Sequence, residues 1–280
     1  MHTLKNNSKF TFKKTLILIF LSILVLITLL PMFWVVISSL KSNADFFSSP
    51  LNFPQKLLFK NYVTAWQRGL SQYFLNSIIV TTISVFLTVF IAASCSYALT
   101  RFNFKGKKII FYTILAGLLL SPQVALLPLY QLLNNLNIYN TYLALILPYV
   151  GFQLPFVVFL MRAYFLSFPK EIEESAYLDG CNTFSVFFRI VLPISKPIIA
   201  TAVIVSSRLI WNEFLFGLVF IDDKSLMTIP VGLTNFQSAL QTDYSSLMAG
   251  IVIAAIPMVV IFLLLQKYFV RGLTAGSVKG

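Results

Sequence analysis

Residues 170–197 read KEIEESAYLDGCNTFSVFFRIVLPISKP, and the rest of the chain is interpreted around them. This is the one long run in the middle of the chain that water would tolerate; the sequence on either side is apolar enough to sit in lipid. Two short helices with a break between them are predicted. Pro169 suits a first helical turn, and Glu171, Glu173 and Glu174 fall where the helix dipole favours negative charge. Asp179-Gly180 ends the first helix, with Gly180 free to take the left-handed C-terminal conformation. Asn182 or Thr183 caps the second. In it Phe184, Phe187, Phe188 and Val191 recur at i, i+3, i+4 and i+7 and form one apolar face, until Leu192-Pro193 breaks the pattern. Ser175 and Ala176, both small, sit at the centre of the acidic helix, so another surface could approach it closely. The aromatic face is expected to lie on the chain's own membrane domain. Together these features lay out a docking knob; the plain alternative is a solvated loop with incidental helicity.

The chain has 280 residues, 58% hydrophobic and only 11% charged, which excludes a water-soluble globular domain. An all-α integral membrane protein is expected. The net charge of +12 does not point to nucleic acid, because the basic residues cluster at the ends of apolar segments rather than on one soluble face. Cys95 and Cys181 lie in different environments, and the sole histidine is His2, so neither a disulfide nor a metal site is expected.

Six apolar runs are long enough to span a bilayer: 15–37, 73–100, 108–130, 141–161, 198–221 and 247–269. They form a single six-helix transmembrane domain over 15–270, with the docking loop at 164–197 and polar tails at 1–14 and 271–280. A first run of this length is too long for the apolar region of a cleaved signal peptide. Prolines inside the third, fourth and sixth runs (122, 128, 148, 155 and 257) are expected to kink those spans.

Six spans put both termini on one side. That side carries Lys5, Lys9, Lys13, Lys14, Arg101, Lys105, Lys107, Lys108, Arg162, Lys170, Arg189, Lys196, Lys267, Arg271 and Lys279. The other carries Lys41, Lys56, Lys60, Arg68 and Lys224. The excess of fifteen over five predicts that the termini and the docking loop are cytoplasmic.

Of the nine acidic residues, only Glu213 falls inside a predicted span, within Arg208-Leu209-Ile210-Trp211-Asn212-Glu213-Phe214. Ionisable groups at membrane depth face a partner or a water-filled path. Arg208 and Asn212 share a helical face, whereas Arg208 and Glu213 are poorly spaced for a pair. Arg208, Trp211, Asn212 and Glu213 therefore read either as a polar lining of a translocation path, with Trp211 as a stacking face, or as a clamp to a neighbouring helix or subunit. Gly272 and Gly276 are spaced as G-x-x-x-G but lie beyond the sixth span, so helix dimerisation is not implied. No phosphate-binding G-x-x-x-x-G-K-[ST] occurs anywhere in the chain.

Glu174-Ser175-Ala176-Tyr177-Leu178-Asp179-Gly180-Cys181, followed by Ile190-Val191-Leu192-Pro193 and Lys196-Pro197, resembles the cytoplasmic "EAA" loop. That loop belongs to the permease subunits of binding-protein-dependent ABC importers. The chain departs from the family pattern at Ser175 and Cys181, where alanine is usual; both are small. Trp211-Asn212-Glu213-Phe214 and the tail from Gln266 to Gly280 resemble the carbohydrate-type subset, the maltose-type second permease subunit. Arg208 is not part of that pattern.

The resemblance implies the type I importer permease fold: six transmembrane helices with a cytoplasmic coupling helix. Glu171, Glu174, Ser175, Ala176, Asp179 and Gly180 would meet a separate ATPase. In that contact Glu174 is the main charged group, Ala176 and Gly180 permit close approach, and Asp179 orients the turn. Gly272, Thr274, Gly276 and Lys279 of the tail would reach the same ATPase dimer. It further implies a second homologous permease, an extracytoplasmic solute-binding protein, a carbohydrate substrate and a bacterial cytoplasmic membrane. ATP and Mg would be held by the ATPase and no cofactor by this chain, which would not be an enzyme. The alternative from another class is an ion-coupled secondary transporter, for which Glu213 would be the embedded ion site.

Overall fold

The computed structural model describes residues 6–236 and 243–274, with side chains over 14–236 and 243–268. Helices, turns and loops account for all of them. In chain order the helices are α1 (Asn6–Ser39), α2 (Asn43–Ser48), α3 (Lys60–Ala65), α4 (Ser71–Arg101), α5 (Lys107–Ala116), α6 (Pro122–Asn135) and α7 (Tyr142–Ser167). There follow α8 (Glu171–Leu178), α9 (Thr183–Val186), α10 (Leu192–Ile194), α11 (Lys196–Trp211), α12 (Leu215–Phe220), α13 (Ile229–Gly232) and α14 (Tyr244–Thr274). One-turn π segments lie at Trp66–Leu70 and Phe187–Val191.

Among the described residues four helices are long and apolar enough to cross a membrane alone, and six spans result if each of two bent pairs, residues 107–135 and 183–211, is one crossing. The runs predicted at 15–37, 73–100, 141–161 and 247–269 correspond to α1, α4, α7 and α14. The third does not form one helix: α5 stops, a short 3-10 turn follows, and α6 leaves at 104°. Ser121 is extended there (φ −78°, ψ 131°), the conformation favoured for a residue before a proline. A Cβ on Gly117 would lie 2.8 Å from the Pro155 ring, so the joint is pressed against α7. The fifth run also breaks. α11 ends at Trp211, and α12 starts only after Asn212–Glu213–Phe214. α7 runs on through Pro148 and Pro155, and α14 through Pro257, without ending at any of them.

The described residues divide into two compact units, residues up to 68 with 235–254, and 69–234 with 255 onward. In the first, Lys41 is 1% exposed and its ammonium donates to the carbonyls of Ser49 (2.9 Å) and Pro50 (2.8 Å). Asn61 donates to the carbonyls of Ser39 and Lys41, and Arg68 pairs with Asp243 at 2.6 Å.

The second unit is built on α4 and α7. Small and hydroxylated residues of α4 (Ser84, Thr88, Ala92, Ala93 and Ser96) are buried, which lets α4 and its neighbours approach closely; Ser96 donates to the Val158 carbonyl across the seam at 3.0 Å. One apolar cluster gathers Tyr97, Val158, Met161 and Phe165 with Val186 and Phe187. A second, along the same two helices, gathers Val80, Leu145 and Tyr149 with Ile210, Phe216 and Phe220. Asn76 of α4 holds the segment after α12 by donating to the carbonyls of Ser225 (2.7 Å) and Met227 (2.9 Å). Gly232 passes so close to Tyr73 that a Cβ there would overlap its ring.

Candidate functional site

α8 forms where the sequence predicts it. All three glutamates fall in its first turn. Its end is a Schellman motif: Cys181 N–H donates to the Ala176 carbonyl and Gly180 N–H to that of Tyr177, both at 3.0 Å, with Gly180 at φ +82°. Open space surrounds Gly180, so it is the left-handed conformation that calls for glycine here. Of the two candidate caps for the next helix, Asn182 serves, its side-chain oxygen accepting from Ser185 N–H at 2.8 Å.

The helix presents two unlike faces. Glu171, Glu174, Ser175, Asp179 and Gly180 are exposed, and so is Leu178, at 90%. Ala176 points the other way. It is 6% exposed and belongs to the apolar cluster with Tyr97, Phe165 and Phe187, so its small side chain lets α8 sit close on its own chain. Ala176, expected to permit close approach of a partner, is thus on the covered face, and Ser175 is the small residue on the exposed one. The expected single aromatic face is likewise split. Phe187 and Val191 are buried, Phe184 stands free, and Phe188 stacks on Phe90. The π turn over Phe187–Val191 shifts the helical phase that the i, i+3, i+4, i+7 spacing assumes.

Glu173 is also turned inward, at 4% exposure. Its Oε1 accepts from Arg101 Nε and lies 2.6 Å from Arg101 Nη2, and its Oε2 accepts from the Tyr97 hydroxyl at 2.9 Å. Arg101 Nη2 also donates to the Phe168 carbonyl at 3.2 Å. Sequence reading counts Glu173 as one of three dipole-favoured acids. Its spacing of three from Ala176 is the signal that both share the inner face.

The other candidates gather at the break after α11. Asn212 Nδ2 donates to the Arg208 carbonyl at 2.8 Å, so these two do share a face, and both are exposed. Trp211 offers no open stacking face, because it is 5% exposed and meets the Phe74 ring edge-on. Glu213 is not inside a helix. Its carboxylate accepts from Phe216 N–H (2.9 Å), Gly217 N–H (3.3 Å) and the Tyr149 hydroxyl (2.7 Å), which caps α12 and fastens it to α7. Beside it lies a cavity of about 190 Å³ whose wall includes Gln123, Tyr149, Phe152, Gln153 and Glu213. Gln123 and Gln153 were missed in the sequence; each is a lone amide in an apolar run. Gly272 and Thr274 fall within the last turns of α14, and Gly276 and Lys279 lie outside the described residues.

Comparison with known proteins bears on both regions. The family described as "Binding-protein-dependent transport system inner membrane component" matches residues 84–275. A probable ABC transporter permease protein, YurM of Bacillus subtilis, is 49% identical over 276 residues, covering 99% of this chain and 92% of its own length. The arabinooligosaccharides transport system permease protein AraQ of the same organism is 34% identical, over 99% of this chain and 100% of its own. The crystal structure of a bacterial ABC transporter involved in the import of the acidic polysaccharide alginate contains a chain of the same fold. It has a TM-score of 0.79 at 20% identity, covering 96% of this chain and all of that one.

Proposed function

This chain belongs to the family of binding-protein-dependent transport system inner membrane components, the non-catalytic permease subunits of ABC importers, and from that premise we propose that it passes a carbohydrate across the cytoplasmic membrane. Its fold is that of a type I importer permease. The AraQ relative is named for arabinooligosaccharides, and the structure of like fold serves a polysaccharide; a mono- or oligosaccharide, or a polyol phosphate, is the substrate class. An ion-coupled carrier has no support: the carboxylate of Glu213 is already engaged by three donors of its own chain.

The observation that carries the coupling role is the exposed face of α8, acidic and ending in a bare Leu178 beside a tight glycine turn. On this reading Glu171 and Glu174 supply charged contacts to the ATPase, and Leu178 enters an apolar recess of it. Ser175, Asp179 and Gly180 let that surface come close, and Ala176 sets the depth at which α8 sits. ATP and Mg belong to the ATPase. The tail, with Gly272, Thr274, Gly276 and Lys279, reaches the same partner. A second permease shares the path and a solute-binding protein delivers substrate from outside.

The termini and α8 face the cytoplasm, as the lysine and arginine bias implies. Two of the five opposing basic residues are committed within the chain, Lys41 to two carbonyls and Arg68 to Asp243. Arg208, Asn212, Gln123 and Gln153 line the path, while Glu213 and Trp211 hold the shape of its wall.

The test is a single cysteine at Ser175 in a background lacking Cys95 and Cys181, probed for crosslinking in native membranes. A crosslinked ATP-binding protein is expected. No such product, with the cysteine freely labelled from the cytoplasmic side, overturns the docking assignment.

A further inference from the structure

Resting on the docking reading of α8, we propose that Glu173 is a positioning residue that fastens the docking helix to the end of α4, so that α4 and α8 move as one body when the ATPase shifts. α8 is joined to the chain by non-helical turns on both sides: the extended Phe168 before it, and the glycine turn at 179–182 after it. Those turns alone would let it swivel.

Within α8 only Glu173 and Ala176 are buried. Ala176 gives contact without direction; Glu173 gives direction. Its two oxygens take donors from residues 97 and 101, successive turns of α4, so the carboxylate is held at two points along that helix. Arg101 also bonds the Phe168 carbonyl, gripping the junction between α7 and α8 with the same guanidinium.

The ion pair is shielded, with side chains 10% and 5% exposed, so salt and water screen it far less than they screen Glu171 or Glu174. Each charge also sits at the favourable pole of its helix, Arg101 in the last turn of α4 and Glu173 in the first turn of α8. α4 in turn packs along α7 and α11, so a push on α8 enters the bundle through its central helix.

The test uses the full chain in its assembled complex, with Cys95 and Cys181 replaced and spin labels at Ile91→Cys in α4 and Ile172→Cys in α8, both exposed and neither assigned to the docking surface. The inter-label distance is measured before and after trapping the ATPase with ATP and vanadate. One narrow distance, the same in both states, is expected with Glu173 present. Glu173→Gln is expected to broaden it and make it differ between states. A distance that changes on trapping in the Glu173 protein overturns the proposal, as does a Gln variant that keeps the narrow, unchanged distance. Failure of the docking reading shows elsewhere, as loss of the Ser175→Cys crosslink to the ATPase.

Discussion

Asp243 sits just ahead of α14 and serves three partners. Oδ1 accepts from Ser246 N–H at 3.0 Å; Oδ2 accepts from Ser246 Oγ at 2.8 Å and from Arg68 at 2.6 Å. Partial burial raises its pKa, but the Ser246 donors and the Arg68 guanidinium outweigh that, and the net shift is downward. A carboxyl whose folded pKa lies below its unfolded value stabilises fully above the unfolded value and loses that contribution as pH falls through the folded one. With the pair partly exposed, the cap and ion pair together are worth about 1–2 kcal/mol. Asp243→Asn is therefore expected to lower the thermal midpoint of the solubilised protein at neutral pH. The gap to the parent should close below the ordinary carboxylate range; a gap independent of pH would refute the assignment. At this scale the sequence was only partly legible. Gly180 and Asn182 could be read, because turn and cap chemistry is local. The partners of Glu173 could not, because Tyr97 and Arg101 lie more than seventy positions away.

Elements were legible in extent and not in continuity. Apolar length marks a span, but it does not see that Ser121 leaves the helical region before Pro122 while the residues before Pro148 and Pro155 stay helical, nor that α11 stops at Trp211. The gap after α11 is closed by a side chain. Six residues of α12 would not hold as an isolated helix; Glu213 supplies its cap and Tyr149 ties that cap to α7. Glu213→Gln keeps an acceptor but loses the charge that the N-terminus of α12 favours. It is expected to cost about 1 kcal/mol of stability in thermal unfolding, with transport per assembled complex retained. Collapse of transport at unchanged stability would instead put Glu213 in contact with the substrate.

At the scale of the molecule, composition alone excluded a soluble protein, and the lysine and arginine bias gave an orientation. The partners could not be read from periodicity; they came through the "EAA" loop and the tail, and the family membership agrees with them. Glu174→Lys belongs to this scale, because the Glu174 side chain is exposed and makes no hydrogen bond or ion pair among the described residues, while its neighbour Glu173 is fully engaged. The variant should insert and fold normally and still assemble, yet transport should fall about tenfold or more, equivalent to ~1.4 kcal/mol of docking free energy. Normal transport by that variant would contradict the coupling role of α8.

The hydroxyl-bearing seam of α4 also bears on how the chain is made. About two-fifths of the most apolar stretches of α4 and α7 is buried within the protein. α4 carries Ser84, Thr88 and Ser96 on the side that α7 and α11 later cover, and hydrocarbon is a poor host for such groups until they do. α4 is therefore expected to settle in the bilayer together with α7 and α11 rather than alone.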